Sequence, residues 1–336
     1  MPSRSEKFIA RSWPSREKFT ISLAGRRVRL GERTIICGIV NVTPDSFWDG
    51  GQYLNASRAV RHALELAKAG ADWIDVGGES TRPGSEPVGA EEELRRVLPV
   101  IQGIRRRAPR LPISIDTTKS EVAEQAVRAG AVIINDISGL RFDPRLAEVA
   151  RRHRVPLVLM HLRGRPATMQ RRPFVRSIWR SLSRGLAGSI RRAVSLGVPT
   201  SQLIIDPGLG FGKTRRQNFE IIAQLARLKR FRLPILAGAS HKSFIQAMVA
   251  GEGLDIDRKA NLSAYWKLTR EKAGARRVAS ELALRAELAL DFGDAAALVG
   301  LVLGGAHILR VHNVGAALPA VRIADAILAA STPRLA

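Results

Sequence analysis

The sequence predicts an α/β protein built as a (β/α)8 TIM barrel, with an N-terminal hairpin ahead of it and a helical insertion before the last strand. Short apolar runs recur near residues 35, 74, 114, 133, 158, 204, 236 and 308, and helical patterns separate them. Such alternation calls for parallel strands joined by right-handed crossovers, and eight units of this kind close most naturally as a barrel. An open, doubly wound sheet is the alternative. The barrel is favoured because the chemically unusual residues all fall at the carboxyl ends of the runs, which a barrel gathers into one mouth.

The hairpin is expected from Phe19 to Leu23 and Val28 to Leu30, on either side of Gly25. Thr34 to Val40 is a buried strand, followed by the polar loop NVTPDSFWDGG. The next helix carries Val60, Ala63, Leu64 and Ala67 on one face and stops at Gly70. GADWIDVGGESTRPG then supplies a second strand and loop, and Leu94, Val97, Leu98, Ile101 and Ile104 form the following helical stripe. Further strands begin at ISIDT, AVIIND, LVLMH and ILAGASHK. The joints AGAD, AGAV and GGAH repeat one device, in which glycine closes a helix and alanine opens the next strand.

The chain has 336 residues, 45% of them hydrophobic, and a formal net charge of +24. This reads as a globular protein, with no apolar run expected to cross a membrane. The charge favours anionic ligands. Runs such as Arg105 to Arg107 and Arg151 to Arg154 lie on helical patterns without interleaved aromatics, so they are expected to be solvated faces, with no specific nucleic-acid partner. Cys37 is the single cysteine, expected to be a core residue in a reducing, cytoplasmic setting. Residues 1–18 read as a flexible basic tail and 19–336 as one domain, with the insertion at about 251–292.

DPGLGFGKT, from Asp206 to Thr214, passes from a strand end through a glycine-rich turn into a helix. It is not a nucleotide P-loop, because the glycine required five residues before Gly212 is replaced by Pro207. Its glycines are expected to let backbone N–H groups approach a ligand. The other strand ends carry Asn41, Asp45 and Phe47; Glu79, Thr81 and Arg82; Asp116; Asn135 and Asp136; Met160 and His161; Ser240, His241 and Lys242; and Arg310 and His312. Asp116, Asn135 and Asp206 offer acceptors suited to a flat heterocycle rich in N–H donors, with Met160 and Phe211 over its faces. Ser240, Lys242, Arg310 and His312 follow the seventh and eighth strands, where barrels commonly bind phosphate. Scattered histidines argue against zinc, whereas Mg2+ held mainly by phosphate oxygens and one protein oxygen fits.

NVTPDSF, GGESTRPG, ISIDT, IINDI, LMH, DPGLGFGKT, SHKSF and RVHNV, in that order, resemble the dihydropteroate synthase family of folate biosynthesis. The resemblance implies a barrel that condenses 6-hydroxymethyl-7,8-dihydropterin pyrophosphate with p-aminobenzoate, releasing pyrophosphate with Mg2+. It implies pterin binding by Asp116, Asn135, Asp206 and Lys242. It also implies pyrophosphate and metal binding by Arg310, His312 and Asn41, and a p-aminobenzoate pocket from Phe47, Thr81, Arg82, Pro83 and Ser240. Sulfonamides would compete, and a homodimer would form through helices after the sixth to eighth strands. The chain departs from the family pattern at His241, usually Arg, at Asn313, usually Asp, and in the insertion. The rival readings are a methyltetrahydrofolate-type methyltransferase barrel and a non-catalytic pterin-binding paralogue.

Overall fold

Successive side chains of a strand face opposite sides, so in a closed sheet each strand sends alternate residues to the barrel interior and to the helices. A computed structural model of the chain describes residues 13, 15–23, 25–43, 51–81, 85–170, 173, 175–251 and 276–331, without the side chains of 51–55 and 276–286. Two antiparallel strands come first, β1 (Phe19–Leu23) and β2 (Arg26–Leu30). The barrel strands are β3 (Ile35–Asn41), β4 (Trp73–Gly77), β5 (Ile113–Asp116), β6 (Ile133–Asp136), β7 (Leu157–Met160), β8 (Leu203–Asp206), β9 (Leu236–Ala237) and β10 (Ile308–Val311). They pair in parallel in the order β8-β7-β6-β5-β4-β3-β10-β9, and a parallel bridge between Ile205 and Ile235 closes the ring.

The helices are α1 (Gly51–Lys68), α2 (Ala90–Arg107), α3 (Ser120–Ala129), α4 (Arg145–His153), α5 (Ile178–Ser195), α6 (Arg215–Ala223), α7 (Ser243–Val249), α8 (Arg276–Leu303) and α9 (Val314–Ser331). Outward strand residues such as Ile74, Ile115, Ile134, Leu159, Ile205 and Leu309 form one core with the helices. Inward residues Cys37, Trp73, Ile133, Val158, Ile204 and Ile308 form a second core, which Ile21, Leu23 and Leu30 of the hairpin complete. The hairpin therefore plugs the amino-terminal end of the barrel and leaves the carboxyl end as the mouth. Gly70, Gly130 and Gly305 take left-handed φ values of 109°, 117° and 97°, so the repeated glycine-alanine joint works as the sequence suggests.

The expected tail boundary needs correcting, because residues just before Lys18 are tied down. The Arg16 side chain, 4% exposed, pairs with Asp325 at 3.0 Å. His307 Nε2 donates to the Glu17 carbonyl at 2.9 Å, and His307 Nδ1 accepts from the Ile235 amide at 3.1 Å, which fixes its tautomer. Burial holds this imidazole down to about 4, so it is neutral at pH 7.

The second half of the expected insertion is helical. Residues 276–292 are the first part of α8, which continues unbroken to Leu303 in the unit that leads to β10. Residues 252–275 lie outside the described residues. Contrary to the expectation that no run could cross a membrane, α9 is long and apolar enough by length and composition. Its Val314, Ala317, Val321, Ala324 and Leu328 nevertheless pack on the barrel, and its Asp325 accepts from the Thr34 amide at 2.8 Å and hydroxyl at 2.7 Å.

Candidate active site

The inward positions nearest the mouth are mostly polar, whereas those below are mostly apolar. Asp75 of β4, Asn135 of β6, Asp206 of β8 and Arg310 of β10 each lie two residues after an inward core position, and Asp116 of β5 lies two after the buried Ser114, so strand parity places all five in the cup. Arg310 binds the set together: its Nε donates to Asp75 Oδ2 at 2.6 Å and its Nη2 to Asp116 Oδ2 at 2.8 Å. Asn135 Nδ2 donates to the same Asp75 oxygen at 3.0 Å, which turns the amide oxygen of Asn135 away as an acceptor. Asp206 Oδ1 takes the Gly208 amide at 2.6 Å. The second oxygens of Asp116 and Asp206, with the amide oxygen of Asn135, are the acceptors this arrangement offers to a ligand.

Parity also excludes two residues that the sequence placed at the mouth. Asp136 and His161 follow inward Asn135 and Met160 and point to the outer side of the wall. Asp136 accepts from the Ser138 amide at 2.7 Å and the Leu140 amide at 2.5 Å, shaping the loop after β6. His161 packs against Gly185 of α5, where a Cβ would meet its ring at 2.5 Å.

The DPGLGFGKT loop is a scaffold more than a ligand cradle. A Cβ on Gly208 would lie 2.3 Å from the His161 carbonyl oxygen and one on Gly212 would lie 2.4 Å from that of Arg163, both at positive φ. These glycines are needed for close loop packing, and the Gly208 and Gly210 amides are already spent on Asp206 and on Asn218 Oδ1 at 2.7 Å. Lys213, 2% exposed, donates to the carbonyls of His161 at 3.1 Å, Gly208 at 2.6 Å and Phe211 at 3.0 Å. Thr214 then opens α6 with a capping box to Gln217. The result holds Phe211 in a small apolar cluster with Met160, Ile137, Leu162 and Met169 at the rim.

Lys242 lies with its ammonium 4.2 Å from the centre of the Phe211 ring. Ser240 donates to Asp294 Oδ2 of α8 at 2.9 Å, and the His241 amide donates to the same oxygen at 2.9 Å. The His312 amide donates to Ser240 Oγ at 3.3 Å, and the His241 and His312 rings stack with centres 4.7 Å apart and planes 5° from parallel. Asn41 ends β3 beside Gly77 of β4, and Thr81 follows on the loop after β4. Asp45, Phe47, Arg82 and Pro83 lie outside the described residues. Sequence reasoning missed Asp75 and Asp294. The only available signal for Asp75 was a carboxylate inside the apolar run WIDVG.

Burial dominates the electrostatics. It pushes Asp206 up to about 6, while the Gly208 amide, Lys213, Lys242 and Arg310 pull it down. Burial likewise lowers Lys242 to about 8, helped by Arg310 and resisted by Asp206 and Asp116. Asp116 is raised to about 7 by burial against the pull of Arg310. The pairing geometry holds Arg310 charged, because two carboxylates face one guanidinium. A cup with fixed acceptors on one side and cations on the other suits a flat donor-rich ring that carries an anionic group.

Because Lys213 is structural, Lys213→Met should cost at least about 1–3 kcal/mol of stability, the penalty for leaving a buried carbonyl unsatisfied. Urea unfolding measures this, and a variant as stable as the wild type would contradict the assignment.

Residues 37–312 match the family described as pterin binding enzyme. The chain is 39% identical over 297 residues to dihydropteroate synthase of Synechocystis sp., covering 88% of this chain and 91% of that one. The structure of Xanthomonas albilineans dihydropteroate synthase with 4-aminobenzoic acid superposes with a TM-score of 0.76 at 37% identity, over 94% of this chain and 100% of that one. The Xanthomonas albilineans enzyme in complex with 7,8-dihydropteroate gives 0.73 at 36% identity, over the same shares of 94% and 100%. This chain belongs to the dihydropteroate synthase family of pterin-binding enzymes.

Proposed function

We propose that the chain condenses 6-hydroxymethyl-7,8-dihydropterin pyrophosphate with p-aminobenzoate, giving 7,8-dihydropteroate and pyrophosphate in folate biosynthesis. The observation that carries this reading is the cup of Asp116, Asn135 and Asp206 acceptors tied to Arg310, in a chain whose relatives carry that name. The 4-aminobenzoic acid and 7,8-dihydropteroate complexes of the Xanthomonas albilineans enzyme are consistent with it.

In this reading the pterin N–H groups donate to Asp116, Asn135 and Asp206, and Met160 and Phe211 cover the ring faces. Lys242 approaches the ring edge from its position over Phe211. The pyrophosphate lies toward Arg310, Ser240 and His312. Arg310 is anchored by Asp75 and Asp116, so its charge is already oriented when the leaving group develops negative charge. The bond from the pterin methylene carbon to oxygen breaks with its electron pair going to pyrophosphate. The pterin ring stabilises the resulting cation, and the neutral arylamine nitrogen attacks it, then loses a proton to complete the C–N bond. The chain's task is to hold the reactants in line and keep water away until attack. Thr81 and Ser240, with Phe47, Arg82 and Pro83, form the arylamine pocket in this reading, and sulfonamides would compete there.

The donor set fits Mg2+ only in one manner. Among the described residues no group of three His, Cys, Asp or Glu side chains is placed to hold a metal ion. Asp75 and Asp116 are engaged by Arg310. A metal carried on pyrophosphate oxygens with the Asn41 side-chain oxygen as the protein ligand is compatible with these donors. When bound it would neutralise charge on the leaving group. We further read the chain as a cytoplasmic homodimer. Phe292 of α8 and Ile323 and Ile327 of α9, 73%, 63% and 40% exposed, are apolar surface that a second copy could cover.

The direct test incubates purified protein with the pterin pyrophosphate and Mg2+ and follows pyrophosphate release with and without p-aminobenzoate. Release that depends on the arylamine is expected, whereas ring binding without turnover would favour the non-catalytic paralogue.

Asp206 must be ionised to accept two donors, so ring affinity should be flat above pH 6 and fall as pH drops through about 6, where the free group takes a proton. Asp206→Asn should weaken pterin binding severely at every pH, because the amide sets N–H against N–H. Calorimetry with a pterin lacking phosphate checks both. A profile level down to pH 5 together with wild-type affinity in the Asn variant would remove Asp206 from the ring.

A further inference from the structure

One cavity among the described residues is separate from the cup. It has a volume of about 890 Å3 and lies outside the barrel wall, between α5 and the loops after β6 and β7. The cup and this cavity share Met160 alone among the residues assigned to the ring.

Its lining is strongly cationic. Arg141, Arg163, Arg176, Arg180 and Arg184 border it, and among the described residues no carboxylate does. Arg180 and Arg184, four positions apart, lie on one face of α5, and Arg176 precedes the helix cap on the same cavity. The neighbouring stripe Ser177, Ser181, Gly185 and Ser189 is small, which opens space between the helix and the loop after β7. Opposite stand Arg163 and Arg141. The first donates to the Pro173 carbonyl and the second to the carbonyls of Ser138 at 3.1 Å and Gly164 at 3.3 Å. Neutral carbonyls orient these guanidiniums, and the buried Asp136 carboxylate lies near enough to Arg141 to compensate part of its charge.

Such an arrangement is unfavourable without an anion. The amino end of a helix carries partial positive charge and is ordinarily matched by Asp or Glu. The first turn of α5 has no acidic residue and contains Arg180, with Arg176 just ahead of it. His161, 6% exposed, also borders the cavity, with the Nε2 edge of its ring toward Ser181 and Gly185 of α5. Met160, Leu162 and Val175 add an apolar wall beside the cations. Cationic and apolar surfaces in a volume of this size match a small amphiphilic ligand rather than a bare ion.

We propose that this cavity is a second ligand site, for a small molecule with a polyphosphate group and an apolar or aromatic body, of the nucleoside triphosphate class. The phosphates lie between the α5 arginines and Arg141 and Arg163, and the body lies on Met160, Leu162 and Val175. Met160 also belongs to the apolar cluster at the rim of the cup, so occupancy of the cavity is coupled to ring binding. This goes beyond the condensation reaction and does not depend on it.

The test uses ATP as the probe, at fixed ionic strength, and is repeated on Arg310→Ala, which removes the phosphate anchor of the cup and should leave ATP binding in place. Calorimetry on the wild-type chain should show one ATP-binding event. In Arg180→Gln/Arg184→Gln, whose altered side chains are exposed, it should weaken at least tenfold while turnover stays unchanged. ATP should also shift the affinity for a pterin lacking phosphate in the wild type and not in the double variant. The proposal is overturned by no ATP binding in the wild type, by binding that the double variant retains, or by retention of an RNA oligonucleotide with no binding of ATP. Because turnover and ATP binding are read separately, loss of one does not imply loss of the other.

Discussion

Arg310 between Asp75 and Asp116 is the interaction on which the rest of the site depends. Two buried carboxylates at the mouth would repel each other and resist ionisation, and a lone buried guanidinium would be equally costly. Together the three form a charge-assisted unit that also orients Asn135 through Asp75. One of the Asp116 oxygens is left for a ligand, so the interaction that stabilises the apo site also presents its acceptors. The arrangement is preorganised in the sense that matters for catalysis, since charge is fixed before the substrate arrives.

This unit can exist because the barrel is closed at its other end. The hairpin fills the amino-terminal opening with Ile21, Leu23 and Leu30, so the inner layers up to Trp73 and Ile133 are apolar apart from Ser114, and polar residues concentrate near the mouth. Around the rim, polar atoms that do not face a ligand are consumed in scaffolding. Lys213 gathers three carbonyls, Asp136 ties two amides, and Asp294 reaches from α8 to hold Ser240 and His241. The last contact brings α8 against Ser240 and His241 at the mouth, so that helix is not independent of the site. His241 stacks on His312 and shares Asp294 with Ser240, so it stands beside the residues read as facing the leaving group in the proposed reaction.

Much of this was legible in the sequence, for identifiable reasons. All eight barrel strands fall at the expected apolar runs, because a buried parallel strand must be apolar on both faces. Asp116, Asn135, Asp206 and Arg310 were recognisable because polar residues ending apolar runs at eight separate strands point to one shared mouth. Asp75 was hidden because it stands inside its strand with Val76 and Gly77 after it. Asp294 was hidden because 54 positions separate it from Ser240, and only tertiary packing brings them together. Asp136 and His161 were assigned to the mouth because proximity to a strand end was counted without parity. The glycines of DPGLGFGKT were recognised as necessary, yet the reason is steric contact with the His161 and Arg163 carbonyls.

The central claim is that Asp75, which touches no substrate in this account, sets the geometry of Arg310 and Asn135. The most direct measurement is steady-state pyrophosphate release by Asp75→Asn, with the Arg310 and Asn135 partners left in place. The account predicts a folded protein whose kcat/KM for the pterin pyrophosphate falls by roughly tenfold or more, as expected when a buried charged hydrogen-bond partner worth about 1.5–3 kcal/mol is neutralised. A folded variant with wild-type kcat/KM would show that the site does not depend on this carboxylate.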